Sequence, residues 1–190
     1  MDGMSLRTTR SPIRRVTTGL IAVLSVIAAV LAGTAGPAVA ETVSGPVSVQ
    51  VRHSLRCLIP QNYSLDNNVQ IEQYYCGSFN AYWEFVTMTD GYYRIRYKGT
   101  NRCMAVSGAS TENLARVLVA TCAGAYTNDQ WKPINRTSEL GVDWYLLYNR
   151  HSGRCMNIRG GSTTEGTDVI QYTCDSTAKH ERFTWSYWPL

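Results

Sequence analysis

Lysine is scarce in this chain: Lys98, Lys132 and Lys179 are the only three, and no cluster of Lys and Arg follows residue 40. The basic footprint of a nucleic-acid binder is therefore missing. Histidine is equally sparse, with His53, His151 and His180. No Gly-rich phosphate loop, no His/Cys group at metal-ligand spacing and no Ser-centred strand-to-helix elbow occurs, so the common phosphoryl-transfer, metal-dependent and serine-hydrolase patterns are absent. No helical period is sustained past residue 40; Glu112 to Val119 has room for one turn, and Ser107-Gly108-Ala109-Ser110-Thr111 before it reads as loop. The longest apolar run, Gly19 to about Gly33, holds about 15 residues, short of the roughly 20 that span a bilayer.

That run has the makings of an export signal. Arg7, Arg10, Arg14 and Arg15 precede it, and Ala38-Val39-Ala40 supplies small residues for cleavage. The expected product is a secreted chain starting at Glu41, with residues 1–40 as signal peptide and no membrane span left. Val16-Thr17-Thr18 after the Arg14-Arg15 pair lacks the apolar side chains of a twin-arginine signal, which favours general secretion. Removing residues 1–40 takes four Arg and Asp2, leaving 14 basic and 13 acidic residues and a formal charge near neutral. The arginine-dominated basic set suits a GC-rich bacterial genome. The remaining residues, 41–190, are enough for one domain with a true core.

What is present is a triplicate. Cys57 and Cys76, Cys103 and Cys122, and Cys155 and Cys174 are each 19 positions apart, while the gaps between pairs differ. Arg56, Arg102 and Arg154 precede the first Cys of each pair; Leu58, Met104 and Met156 follow it. Ile71, Val117 and Val169 lie five residues before the second Cys, and Trp83, Trp131 and Phe183 follow it. Such self-similarity means one supersecondary unit repeated, whose copies must stack to bury a shared core. Six cysteines in an exported chain read as disulfides, and six allow about 15 connectivities. Two patterns keep the threefold repeat, pairing within units or between successive units. The constant separation selects the former: Cys57–Cys76, Cys103–Cys122 and Cys155–Cys174.

The segments between cysteines are short strands. Phe85–Thr89 and Tyr92–Tyr97 flank Asp90-Gly91, the dipeptide that a type I′ hairpin turn takes. Leu140-Gly141-Val142-Asp143 followed by Trp144–Tyr148 repeats the arrangement. Three all-β units of this size, each with a hairpin and a bridge, suit a barrel closed about a pseudo-threefold axis, a β-trefoil. Closure removes sheet edges open to aggregation. A three-bladed propeller has too few blades, and a sandwich needs no threefold cysteine pattern.

Arg154-Cys155-Met156-Asn157-Ile158, then Gly166-Thr167-Asp168-Val169, Cys174 and Phe183-Thr184-Trp185 resemble the ricin-type lectin repeat, which runs Cys-Leu-Asp-Val, Gly-Thr-x-Val, Cys and Gln-x-Trp. Arg102 to Trp131 is similar, the first unit is the most diverged, and the resemblance covers residues 48 to 188. It implies a carbohydrate-binding domain that takes a galactose-like or related sugar, alone or on a surface glycoprotein, without cofactor, metal or catalysis, as a monomer. In the family an Asp two positions after the first Cys accepts from sugar hydroxyls, an aromatic two before the second Cys stacks on the sugar, and an Asn three before the core aromatic adds a hydrogen bond.

Carried over, the Asp position holds Ile59, Ala105 and Asn157. The stacking position holds Tyr74, Ala120 and Tyr172, and the Asn position holds Asn80, Asn128 and His180, with Trp83 taken as the first core aromatic although Phe85 aligns without a gap. The third unit, with Asn157, Tyr172 and His180, is the best candidate; Tyr74 and Asn80 are weaker, and the second unit lacks both acceptor and platform. The family's buttressing Gln is replaced by Ala81, Asp129 and Glu181, so the resemblance implies a site without that support. The plain alternatives are surface aromatics for Tyr74 and Tyr172 and a turn residue for Asn157. His53 and His151, at equivalent places, read as repeat scaffolding. The competing function is a protein-binding or protease-inhibiting trefoil, with Lys132 to Val142 as its contact loop.

Overall fold

The computed structural model describes residues 42–77, 82–122 and 126–186, so the signal-peptide expectation for residues 1–40 and the candidate Asn80 lie outside the described residues. Twelve strands follow one another: β1 (Val43–Val51), β2 (Cys57–Pro60), β3 (Ile71–Tyr74), β4 (Trp83–Thr87), β5 (Tyr93–Tyr97), β6 (Arg102–Val106), β7 (Val117–Thr121), β8 (Gln130–Glu139), β9 (Val142–Asn149), β10 (Cys155–Ile158), β11 (Thr167–Tyr172) and β12 (Arg182–Ser186). The described residues include no α-helix, only three-residue 3₁₀ turns. Glu112–Val119 forms no helical turn: the turn falls earlier, at Ser107–Ala109, and Val117 already begins β7.

Six strands close on themselves. β1 pairs with β4, β4 with β5, β5 with β8, β8 with β9, β9 with β12, and β12 returns to β1, all antiparallel. The other six form three hairpins, β2–β3, β6–β7 and β10–β11. Pairings between Thr167 and Gln73, Gln70 and Leu118, and Arg116 and Ile170 stitch these hairpins together. This is the β-trefoil, four strands per unit.

The reasons are local. In β1, Val47, Val49 and Val51 point inward while Ser48 and Gln50 do not, the period of two that a half-buried strand needs. Asp90 and Gly91 both have positive φ (61° and 74°), and Tyr92 N donates to Thr89 O, closing the expected type I′ turn between β4 and β5. The core takes one residue from each unit at each level: Leu58, Met104 and Met156; Ile71, Val117 and Val169; Trp83, Trp131 and Phe183. Trp83 is the true equivalent of Trp131. The indole Nε1 of Trp83 donates to Leu58 O at 2.8 Å and that of Trp131 to Met104 O at 2.9 Å, in each case the carbonyl just after the unit's first Cys. The three bridges are the within-unit ones, Cys57–Cys76, Cys103–Cys122 and Cys155–Cys174.

Lys132 to Val142 is not a loop. It is most of β8 and a tight turn at Leu140-Gly141, paired with β9 from Trp131↔Asn149 to Glu139↔Val142 with a bulge between Ile134 and Thr137. Asn135, at φ 49°, absorbs the bulge. The polar run Asn135–Glu139 is polar because the hairpin extends past the barrel into solvent, not because it lacks a ladder.

Candidate functional site

Asn157, Tyr172 and His180 line one cavity of about 510 Å³ in the third unit. β10 supplies Asn157, the last residue of β11 is Tyr172, and His180 sits in the 3₁₀ turn Lys179–Glu181. Gly160, Ile170 and Ala178 also line it, and Leu114 comes in from the second unit. Leu114 is placed by its own N–H, which donates to Gln171 O at 2.9 Å. Gly161 makes room for the imidazole: at φ 61°, a Cβ there would lie 3.2 Å from His180 Nδ1.

Asn157 is a strand residue rather than a turn residue, and it is buried at 4% exposure. Its Nδ2 donates to Glu181 Oε1 at 2.7 Å, and Glu181 Oε2 accepts from the Asp175 N–H at 2.8 Å. A carboxylate at the position of the family's glutamine is therefore the buttress, contrary to the expectation of a site without support. Burial pushes the Glu181 carboxyl above its ordinary value, against the pull of those two hydrogen bonds. Asp175, at the rim, goes the other way, because Thr177 donates to it from both N and Oγ1. Tyr172 is 41% exposed, an aromatic face open to solvent. The ring of His180 meets that of His53 edge-on at 5.9 Å, and His53 Nε2 lies 2.8 Å from Ser162 O.

The other units are built differently. In the second, Ala105 is buried, and Asn128 Nδ2 donates to Val106 O at 2.8 Å, so that amide ties backbone. Asp129, the counterpart of Glu181, accepts from Arg94 Nε at 2.9 Å. In the first, Ile59 belongs to the core cluster and Tyr74 packs against it, half-buried. Among the described residues no group of three or more His, Cys, Asp or Glu could hold a metal ion.

Sequence reasoning located Asn157, Tyr172 and His180 but missed Glu181 as a partner, Asp175 and Leu114. Asp175 was within reach, since it directly follows the unit's second Cys. Leu114 was not, because nothing in its own unit marks it as the wall of its neighbour's cavity.

Three overlapping segments, residues 38–120, 80–172 and 127–186, match the family model described as ricin-type β-trefoil lectin domain-like. No curated protein matches the sequence. Among solved structures, the designed threefold-symmetric protein ThreeFoil has a TM-score of 0.65 at 29% identity, over 73% of this chain and 96% of its own. A ricin B-like lectin of Macrolepiota procera, in complex with lactose, has a TM-score of 0.58 at 16% identity, over 76% of this chain and 96% of its own. An exo-β-1,3-galactanase of Clostridium thermocellum has a TM-score of 0.65 at 23% identity; 80% of this chain is covered but only 31% of that enzyme.

Proposed function

The chain belongs to the ricin-type β-trefoil lectin-like family, and from that premise we propose that it is an exported, non-enzymatic carbohydrate-binding protein that takes a galactose-like sugar at one site, in the third unit. The observation that carries the reading is the meeting of Asn157, Tyr172 and His180 at one cavity. Tyr172 offers a π face for the C–H side of a pyranose, and Asn157 and His180 offer polar atoms that read hydroxyl positions. Among related folds, the Macrolepiota procera lectin binds lactose and the earthworm R-type lectin binds GalNAc.

Export fits the signal-like pattern of residues 7–40 and the three bridges, which persist in oxidising compartments. No described helix is long and apolar enough to cross a membrane. A neutral amide in place of a carboxylate weakens the hydrogen bonds to sugar, since charge-assisted bonds are about twice as strong. A single site also gains nothing from avidity, so affinity for free galactose falls in the millimolar range.

Calorimetric titration with galactose tests this. Tyr172→Ala abolishes the heat of binding while Ala120→Tyr adds no second site, because Ala105 still offers no acceptor. Undiminished binding by Tyr172→Ala would move the site elsewhere.

A further inference from the structure

Glu181 is a carboxylate at 1% exposure with no direct ion pair among the described residues: the neighbouring buried Arg182 turns its guanidinium to Asn135 O and Ser176 O and eases the charge only at longer range. A buried charge without a counter-ion is costly, and its removal or protonation is the cheaper state unless its hydrogen bonds are good. Both oxygens are used: one receives the Asn157 amide and the other the Asp175 N–H. An ionised carboxylate can only accept, so the Asn157 amide has one orientation available. Its NH₂ turns inward to Glu181, and Oδ1, which makes no hydrogen bond among the described residues, is left for the cavity that Asn157 lines. The second unit has the buried acid but not the device, because Asp129 meets Arg94 and Ala105 stands where the amide would be.

We propose that Glu181 is the positioning residue of the third-unit site: it locks the Asn157 amide with Oδ1 toward the cavity, so that the group received there is a hydroxyl donor of a neutral sugar. The inference rests on the sugar-binding reading of this cavity. A ligand presenting a carbonyl or carboxylate at that point meets acceptor against acceptor. The Asp175 carboxylate at the rim and Glu181 behind add like charge against an acidic sugar.

The lock has a consequence that separates it from mere packing. In Glu181→Gln, the remaining oxygen keeps the Asp175 N–H and the new NH₂ faces Asn157, whose amide flips to accept it and turns its own NH₂, a donor, toward the cavity. In Asn157→Asp, two carboxylates face each other in a buried place. In the double variant every group is satisfied again: the new amide at 181 donates to the new carboxylate at 157 and accepts from the Asp175 N–H, and an acceptor still faces the cavity.

The experiment is a double-mutant cycle read by galactose titration and thermal melting. Each single variant loses at least about tenfold in affinity and Asn157→Asp also melts earlier, whereas the double variant, with a carboxylate facing the cavity, binds at least as tightly as the unmutated protein and recovers the melting temperature lost in Asn157→Asp. Single variants that bind as tightly as the parent, or losses that simply multiply in the double variant, overturn the lock. If a single variant does not fold, the unmutated protein still decides: on acid titration the Asn157 side-chain amide resonances shift together with the Glu181 carboxyl carbon, and an amide that ignores that titration overturns the proposal. If no variant binds galactose, the sugar reading fails by itself. The melting temperatures then report the lock alone, upheld by recovery in the double variant and overturned by additive losses.

Discussion

Gln70 shows what a single side chain can do on a symmetry axis. Its Nε2 lies 2.7 Å from Ile71 O, 3.1 Å from Val117 O and 2.8 Å from Val169 O, the same carbonyl of each unit. Only one residue can occupy such a point, so the equivalent positions hold unrelated residues, Arg116 and Asp168. His53 also ties units together, through Ser162 O and the His180 ring. Its pKa lies below the ordinary 6.5, first because burial disfavours the imidazolium and also because His180 is near, while the Ser162 and Gly161 carbonyls pull the other way. Between the lowered folded value and 6.5, the unfolded chain binds a proton that the folded chain does not, so stability rises with pH there and falls on acidification. Melting temperatures taken from about pH 7 to about pH 5 show an acid-dependent drop that is smaller in His53→Gln, which keeps a donor to Ser162 O. Glu72 and Glu181, raised by burial, act with the opposite sign but equally in both proteins. Equal drops in the two proteins would assign the effect to other groups. The resemblance to the ricin-type repeat named Asn157, Tyr172 and His180, because the repeat spacing lets the family's site positions be carried onto this chain. It could not name Glu181, because a loss of the expected amide looks like damage until its carboxylate is seen to accept from Asn157.

At the scale of the element, the tryptophans of the first two units, Trp83 and Trp131, join strand to cap. Trp131 fills the core from β8 and reaches back to Met104 O in β6. Trp131→Ala loses about 3–5 kcal/mol from cavity formation and an orphaned carbonyl. Asn128→Ala loses only about 1 kcal/mol, the worth of one hydrogen bond, here to Val106 O. Chemical denaturation ranks the two variants, and the reverse order would remove Trp131 from its core role. The short strands and the Asp90-Gly91 turn were legible because turn chemistry and alternation are local. The β8–β9 hairpin was only half legible. Past the bulge it buries Trp144 but leaves most of β8 exposed, too little to impose alternation there, and it is held by its ladder and by cross-strand pairs such as Arg136 with Asp143 at 2.9 Å and Ser138 with Asp143. Charge pairs of that kind are indistinguishable in sequence from a solvated loop.

In the whole molecule, the repeated arginine before each first Cys acquires a reason. Arg56 of the first unit reaches Thr163 O in the third, Arg102 of the second reaches Asn67 in the first, and Arg154 of the third reaches Thr111 O in the second. Each unit clasps the one before it around the ring, which is why three copies cohere and why the motif was visible without its purpose. The same cyclic neighbourhood brings Leu114 of the second unit to the third unit's cavity, so the site belongs to the assembled trefoil and not to one repeat. The first and second units have spent the corresponding positions on core and backbone, with Ile59 in the core and Asn128 on Val106 O. Chemical-shift mapping with galactose tests this single-site account most directly. The predicted result is one set of saturable perturbations centred on Asn157, Tyr172 and His180 and extending to Leu114; perturbations centred on Tyr74, or none with galactose or any other neutral sugar, would contradict it.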